Sequence, residues 1–172
     1  MTPAPDGPRF RALMARWASG VSVVTAHDAA GDAGLTVNAL LSVSLAPPSM
    51  LVSLSRDTDT LPVLERSGFF GVSFLTVAQR TLSERFARTL PAEEKFRDVG
   101  LHRGPHGTAL LDATLGAAEC RVASRTEAFD HVLVLGEVVH AETGPAAEPL
   151  VYVRSGYAEP DGPDRLRLPR FP

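Results

Sequence analysis

Residues 36–45 alternate between apolar and small polar side chains, and two prolines follow them. In an extended strand, successive side chains point to opposite faces. One face would therefore carry the apolar residues Val37, Ala39, Leu41, Val43 and Leu45. The other would carry the polar residues Thr36, Asn38, Ser42 and Ser44, interrupted only by Leu40. Because a row of short hydroxyl and amide groups suits a flat ligand with hydrogen-bonding edges, we expect this strand to form the floor of a binding site.

Strand-like runs dominate the rest of the chain, at about residues 21–26, 50–55, 69–75, 113–126, 131–142 and 149–157. Only three short helices are predicted. Apolar side chains recur at helical spacing over residues 8–18, and Asp6 and Pro8 suit the cap and first turn of that helix. A second helix begins at Thr60, and the capping box Thr76-x-x-Gln79 begins a third. Many strands with few helices between them predict a mainly β fold, an antiparallel barrel, rather than a doubly wound sheet.

The composition is that of a single-domain globular protein. We expect one domain over residues 1–159, followed by a Pro- and Arg-rich tail over residues 160–172. A net charge of -3 gives no electrostatic basis for binding nucleic acid or an anionic membrane. The single cysteine, Cys120, excludes an internal disulfide, and no apolar run is long enough to cross a membrane. A cytoplasmic protein is the expectation.

Common nucleotide and metal signatures do not occur. Gly31-x-x-Gly34 lacks the third glycine and the following helix of a dinucleotide fingerprint, and there is no Walker loop. The pair His102-x-x-x-His106 lies in a Gly- and Pro-rich loop where no helix aligns the two rings. We therefore predict no metal site, and any nucleotide would be bound outside those two folds.

Two further segments are candidates for a site, each with a structural alternative. Segment 53–60 leaves a strand and enters a helix N-terminus, where free N–H groups and Arg56 favour a phosphate. The alternative is that Thr58 or Thr60 merely caps that helix. His131 begins an apolar strand directly after Asp130. It either faces a site or makes a structural hydrogen bond to Asp130.

Short motifs along the chain, in order, resemble those of the flavin reductase family, the split-barrel reductases of two-component monooxygenases. The first are Phe10-Arg11-x-x-Met14, Ala18-Ser19-Gly20-Val21-Ser22-Val23-Val24-Thr25, Gly34-Leu35-Thr36-Val37-Asn38-Ala39 and Ser42-Val43-Ser44-Leu45-x-Pro47-Pro48. Later ones are Ser67-Gly68-x-Phe70-x-Val72, Gln79 with Arg85-Phe86-Ala87, Lys95-Phe96, Glu119-Cys120, Asp130-His131, Gly136-Glu137-Val138 and Pro149-Leu150-x-Tyr152. The resemblance covers residues 10–157.

The resemblance implies a homodimer of FMN-binding split β-barrels that binds FMN or FAD near the subunit interface. It implies NADH or NADPH as the co-substrate and a flavin-dependent monooxygenase as the recipient of reduced flavin. The cofactor-binding residues would be Thr36, Val37, Asn38, Ala39, Ser42, Ser53, Leu54, Ser55, Thr58, Thr60, Phe86 and Ala87. The nicotinamide or substrate residues would be His131, as the catalytic residue, with Tyr152 and Phe129.

One departure from the family pattern concerns the co-substrate. The family commonly has glycine before the Asp-His pair, whereas Phe129 stands there in this chain. A bulky ring at that turn would shift His131 or cover the nicotinamide site. Two alternative functions therefore remain: a flavoenzyme that keeps its flavin and acts on its own small substrate, and a non-catalytic flavin-binding protein.

Overall fold

The computed structural model describes residues 6–158, and twelve strands and four helices lie in that range. The strands are β1 (Ser19–Gly20), β2 (Ser22–Asp28), β3 (Gly31–Val37), β4 (Leu40–Leu45), β5 (Pro48–Ser55), β6 (Phe69–Phe74), β7 (Leu101–Arg103), β8 (Ala109–Leu111), β9 (Gly116–Ala128), β10 (His131–Thr143), β11 (Val151–Val153) and β12 (Gly156–Tyr157). The helices are α1 (Gly7–Met14), α2 (Thr60–Ser67), α3 (Arg80–Phe86) and α4 (Ala92–Phe96), with a 3₁₀ turn at Val77–Gln79 before α3. The tail expected over residues 160–172 lies outside the described residues.

A seven-stranded sheet with the order β3-β2-β6-β9-β10-β5-β4 forms the body of the molecule. Every pairing in it is antiparallel. Two small sheets, β1-β11-β12 and β7-β8, lie beside it. The predicted mainly β, antiparallel fold with few short helices is therefore confirmed.

The predicted single strand over residues 36–45 is wrong. Strand β3 ends at Val37 and β4 begins at Leu40, and these two strands lie at opposite edges of the large sheet. Seven flat strands would separate their edges by about 29 Å, because neighbouring strands are about 4.8 Å apart. Three residue steps reach only about 11 Å. The sheet must therefore curl until its two edges approach each other at this end.

The break in the strand also changes which apolar side chains face the core. Val37 is buried in the core and Leu40 packs against it, whereas Leu41, Val43 and Leu45 are exposed. The register of β4 against β5 shifts between Ser42 and Ser44, so the simple alternation of faces ends there. The apolar residues of this segment thus do not share one face.

The core consists of two clusters on either side of β2. Val24 and Ala26 belong to the first, with residues of β5, β6, β10 and α2. Val23 belongs to the second, with Phe86 of α3 and Leu111 of β8. Strand β2 is buried on both faces because α2 packs on one of them and α3 with β8 packs on the other.

Helix α1 begins where the sequence predicts, since Asp6 caps it by accepting a hydrogen bond from the Arg9 N–H. It ends at Met14, earlier than expected. Its apolar residues do not pack into the core. Together with Trp17, which follows the helix, and with those of β4 they form an exposed set, here called the apolar surface: Phe10, Leu13, Met14, Trp17, Leu41, Val43 and Leu45.

Glu119 on β9 is completely buried and fixes a loop to the sheet. Its carboxylate accepts hydrogen bonds from the Thr108 N–H (3.1 Å), the Thr108 hydroxyl (2.7 Å) and the His106 N–H (2.9 Å). It also bonds the His106 ring at 3.0 Å. Burial acts to raise the pKa of Glu119, but the hydrogen bonds from Thr108 and His106 outweigh burial and hold that pKa below its ordinary value.

Acid should remove the stabilisation that Glu119 provides. A folded-state pKa below the ordinary value of 4.5 means that this stabilisation is fully present above pH 4.5 and is lost as pH falls through the folded pKa. Glu119→Gln should lower the free energy of unfolding by about 1–3 kcal/mol at pH 7. The NH₂ group of the glutamine would face the donors of Thr108 or His106 and could not accept their hydrogen bonds. Urea denaturation at pH 7 and at acid pH measures both effects. Glu94→Gln, at an exposed glutamate, is the control. If Glu119→Gln lowered the free energy of unfolding equally at both pH values, the stabilising role of the ionised Glu119 would be contradicted.

Gly136 on β10 allows Phe70 to lie against the sheet. A Cβ at this position would lie 2.5 Å from two ring carbons of Phe70 and 2.7 Å from the Cys120 Cβ. Gly136→Ala should therefore lower the free energy of unfolding by about 1–3 kcal/mol. Gly156→Ala, whose Cβ would meet nothing within 4 Å, is the control. Equal denaturation midpoints for the two variants would contradict this packing argument.

Candidate functional site

A cleft of about 550 Å³ opens between α1, the connection from β3 to β4, strand β5 and Tyr152. Four residues expected at a site from the sequence line it: Asn38, Ala39, Ser53 and Tyr152. The curl of the large sheet brings them together, because the connection between its two edges lies against β5. The Ser53 N–H donates a hydrogen bond to the Ala39 carbonyl at 3.1 Å and fixes this wall of the cleft.

Several other predicted cofactor residues direct their side chains elsewhere. The Thr36 hydroxyl donates to the Ser83 carbonyl at 2.6 Å and joins β3 to α3. The side chains of Val37, Leu54 and Phe86 lie in the core. Ser42 and Ala87 are exposed and are not among the residues that line the cleft. The expected polar floor is therefore shorter than the sequence pattern suggests.

Two hydroxyl groups of segment 53–60 accept hydrogen bonds within the segment's own turn. The Thr58 hydroxyl accepts a hydrogen bond from the Leu61 N–H at 3.3 Å, and the Ser55 hydroxyl accepts one from the Asp57 N–H at 3.4 Å. Thr60 is buried. The helix-capping alternative for Thr58 thus describes its observed contact. Arg56, the expected positive charge, forms an ion pair with Glu127.

His131 lies at the first position of β10, directly opposite Ser55 of β5. Paired residues of an antiparallel ladder share a face, and Ser53 lies on that same face two residues away. His131 therefore continues the polar face of β5 that begins in the cleft. Its Nδ1 lies 2.9 Å from the Asp130 carboxylate. The hydrogen bond from His131 holds the pKa of Asp130 below its ordinary value.

The turn before His131 carries an exposed aromatic ring. Phe129 has a φ of 59°, a left-handed conformation that favours glycine, and its side chain is 98% exposed. The turn is held in place because the Arg56 N–H donates to the Asp130 carbonyl at 3.1 Å. The large ring therefore points into solvent and does not displace His131 from the ladder.

Sequence reasoning missed nine of the residues that line the cleft, among them Arg11, Trp17, Ser19 and Ser155. Arg11 and Ser19 belong to motifs that the resemblance rests on, but nothing in those motifs shows that α1 lies over the connection between β3 and β4. The helical spacing of Trp17 from Phe10, Leu13 and Met14 predicts a buried side chain, yet Trp17 is 69% exposed. Only the tertiary structure identifies these residues as part of the site.

Two features are absent from residues 6–158. Within that range no three His, Cys, Asp or Glu side chains are grouped so that they could hold a metal ion. None of the helices described is long and apolar enough to span a membrane.

Comparison with known proteins gives consistent matches over nearly the whole chain. The family model "Flavin reductase like domain" matches residues 14–161. The chain is 41% identical to a flavin reductase (NADH) of Kitasatospora aureofaciens, covering 89% of this chain and 81% of the relative. It is 38% identical to the actinorhodin polyketide dimerase of Streptomyces coelicolor, covering 90% and 87%. It is 36% identical to the reductase component of 4-hydroxyphenylacetate 3-monooxygenase of Thermus thermophilus, covering 86% and 93%.

A solved structure agrees with these sequence matches. The NADH:FAD oxidoreductase SgcE6 of Streptomyces globisporus superimposes with a TM-score of 0.85 at 28% identity, over 92% of this chain and 95% of that one. This chain belongs to the family of flavin reductase like domains.

Proposed function

We propose that this protein is an NAD(P)H-dependent flavin reductase that transfers hydride to FMN or FAD and supplies reduced flavin to a partner monooxygenase. The observation that carries the proposal is the cleft, where Asn38, Ala39 and Ser53 meet, with His131 on the same face of β5 and β10. Relatives with this activity match almost the whole chain. Because the proposed co-substrate is a cytoplasmic metabolite, we place the protein in the cytoplasm.

The residues of the cleft fit a flavin. Its volume of about 550 Å³ falls within the range of small-molecule and cofactor sites. The ring of a flavin is flat, with an apolar end and a hydrogen-bonding edge. Leu40, Leu41 and Leu51 offer apolar contacts, and the Asn38 amide and the Ser53 hydroxyl offer donors and acceptors. The bound flavin would supply the electron acceptor for the hydride of the nicotinamide.

The protein's contribution to the reaction would be placement. Holding two rings in contact makes the transfer effectively intramolecular. Asp130 has a lowered pKa and is ionised at neutral pH, so it accepts a hydrogen bond from His131 Nδ1. That bond orients the imidazole and leaves its Nε2 available to a substrate amide. We assign His131 to the nicotinamide site, with Tyr152 on the other side of the cleft.

In this proposal, backbone N–H groups of segment 53–60 would bind the phosphate of the flavin. The hydroxyls of Ser55 and Thr58 are engaged in local hydrogen bonds, so the phosphate would meet backbone N–H groups of this turn other than those of Asp57, Thr58 and Leu61, which already have acceptors. Ser55, Thr58 and Thr60 would contribute to the site by shaping this turn. In this proposal Val37, Leu54 and Phe86 support the cofactor site from the core rather than through side-chain contact.

We also propose that the curled sheet closes as a split barrel and that two copies form a homodimer. The apolar surface supports the dimer: Leu45 is 90% exposed and Trp17 69% exposed. Exposed apolar side chains on this scale mark interaction sites. Met14, Trp17 and Leu41 of this surface also line the cleft, so the interface would border the flavin site.

A second candidate function is an enzyme with a permanently bound flavin that acts on its own small molecule. The similarity to a polyketide dimerase favours it, because that relative is named for a substrate other than free flavin. Phe129 adds no support to it, because its ring points into solvent and leaves His131 in the ladder.

The function is tested by anaerobic oxidation of NADH and of NADPH with FMN or FAD in excess over the protein. Multiple turnovers of free flavin are expected, and the four combinations identify both the flavin and the co-substrate. Reduction of a single bound equivalent would favour the second candidate. Binding of flavin without oxidation of either nucleotide would contradict the reductase and point to the second candidate or to a non-catalytic flavin-binding protein.

His131→Ala should raise the KM for the nicotinamide nucleotide about 5- to 20-fold, because a hydrogen bond to the substrate is lost. The flavin Kd should stay within a few-fold. Steady-state kinetics and fluorescence titration give the two values. His140→Ala, near the far end of the same strand, is the matched control. Unchanged KM and kcat in His131→Ala would contradict the role assigned to His131.

Leu45→Glu should weaken the homodimer by at least about 100-fold, because it places an unpaired charge in an apolar interface. Leu45 is almost fully exposed in a single chain, so the variant should still fold. Light scattering after size-exclusion chromatography measures the mass. Val139→Glu, at an exposed valine outside the apolar surface, is the control. A dimer that persists in Leu45→Glu, or a wild-type monomer, would reject this interface.

A further inference from the structure

The Ser19 hydroxyl is unusual among the polar groups of residues 6–158. Its oxygen is shielded from solvent and has no hydrogen-bond partner. No other buried side-chain nitrogen or oxygen of residues 6–158 lacks a partner. Leaving a buried hydroxyl without a partner costs free energy, so nearly all such groups in proteins are paired. A deviation of this kind calls for a physical reason.

The position of Ser19 suggests that reason. Ser19 lies in β1, pairs with Tyr152 of β11 and lines the cleft. No group of residues 6–158 bonds the Ser19 hydroxyl, although other polar residues line the same cleft, among them Asn38, Ser53 and Ser155. Because the residue as a whole is only partly buried, rotation about χ1 can bring its hydroxyl towards the cleft.

We propose that Ser19 is a binding residue whose hydroxyl finds its partner only when the cleft is filled. The partner would be an amide or imide group on a planar ring. This inference rests on the proposed function, which offers two such groups: the imide edge of the flavin and the carboxamide of the nicotinamide. The unbound protein then carries an unpaired hydroxyl that the ligand satisfies, so part of the binding affinity comes from relieving it.

This role predicts opposite effects of one substitution on stability and on binding. Ser19→Ala removes the unpaired oxygen, so the ligand-free protein should gain about 2–4 °C in Tm. The same change should weaken ligand binding about 3- to 10-fold. A hydroxyl with a purely structural role would lower the Tm when removed. An ordinary exposed hydroxyl would change neither quantity.

The experiment measures three quantities for wild type, Ser19→Ala and Ser19→Thr: the Tm of ligand-free protein, the Kd for FMN and FAD, and the KM for NADH and NADPH. Ser19→Thr keeps the hydroxyl and should restore wild-type binding. Ser124→Ala, an exposed serine of β9 away from the cleft, is the matched control and should change none of the three.

The two binding readouts distinguish the ligands. A weaker flavin Kd with unchanged KM assigns Ser19 to the flavin imide, and the reverse assigns it to the nicotinamide carboxamide. Unchanged Kd and unchanged KM in Ser19→Ala would overturn the proposal, as would a lowered Tm. If wild type binds flavin but oxidises no nucleotide, the proposed function fails while the flavin Kd and the Tm still decide the role of Ser19.

Discussion

The short connection between β3 and β4 constrains the rest of this structure. Two residues, Asn38 and Ala39, join strands that lie at opposite edges of a seven-stranded sheet. The chain cannot span a flat sheet in so few residues, so the sheet curls and its two edges approach each other at this point. One of the two core clusters contains both Val37 of one edge strand and Val52 of the strand next to the other edge. The cleft forms at the connection itself.

The same constraint explains why this connection is suited to bind a ligand. Residues between two strands at a sheet edge have backbone groups that no ladder fully satisfies. Only one of them is used within the protein, since Ala39 accepts from the Ser53 N–H. Asn38 is exposed at the mouth of the cleft. The connection therefore presents hydrogen-bonding groups to the cleft from between two strands. Their positions, which suit a flat ring, follow from the way the sheet closes.

Hydroxyl groups in this protein divide into two kinds that the sequence does not distinguish. Thr36 and Thr58 lie in the motifs that suggested cofactor contacts, yet one joins β3 to α3 and the other caps α2. Ser53 and Ser19 line the cleft. A short polar side chain has similar chemistry in either role. Which role it takes depends on the nearest backbone group, and that group often belongs to a segment distant in sequence, as Ser83 is from Thr36.

Local patterns predicted much of the fold. The capping residue Asp6, the capping box at Thr76 and Gln79, and the two long strands after residue 113 were correctly placed, because each depends on neighbouring residues. The strand over residues 36–45 was not. Alternation along a chain cannot show that a strand leaves one sheet edge and joins the other, nor that its apolar side chains then face solvent.

The sequence by itself determined the fold class, the family and the positions of Asn38, Ala39 and His131 in motifs typical of that family. These depend on side-chain order and spacing, which are local. The tertiary structure alone decided which polar groups meet in the cleft, that Arg11, Trp17 and Ser19 belong to it, and that Val37 and Phe86 do not line it. The reason is physical: these features depend on the curl of the sheet, which brings segments far apart in the chain into contact.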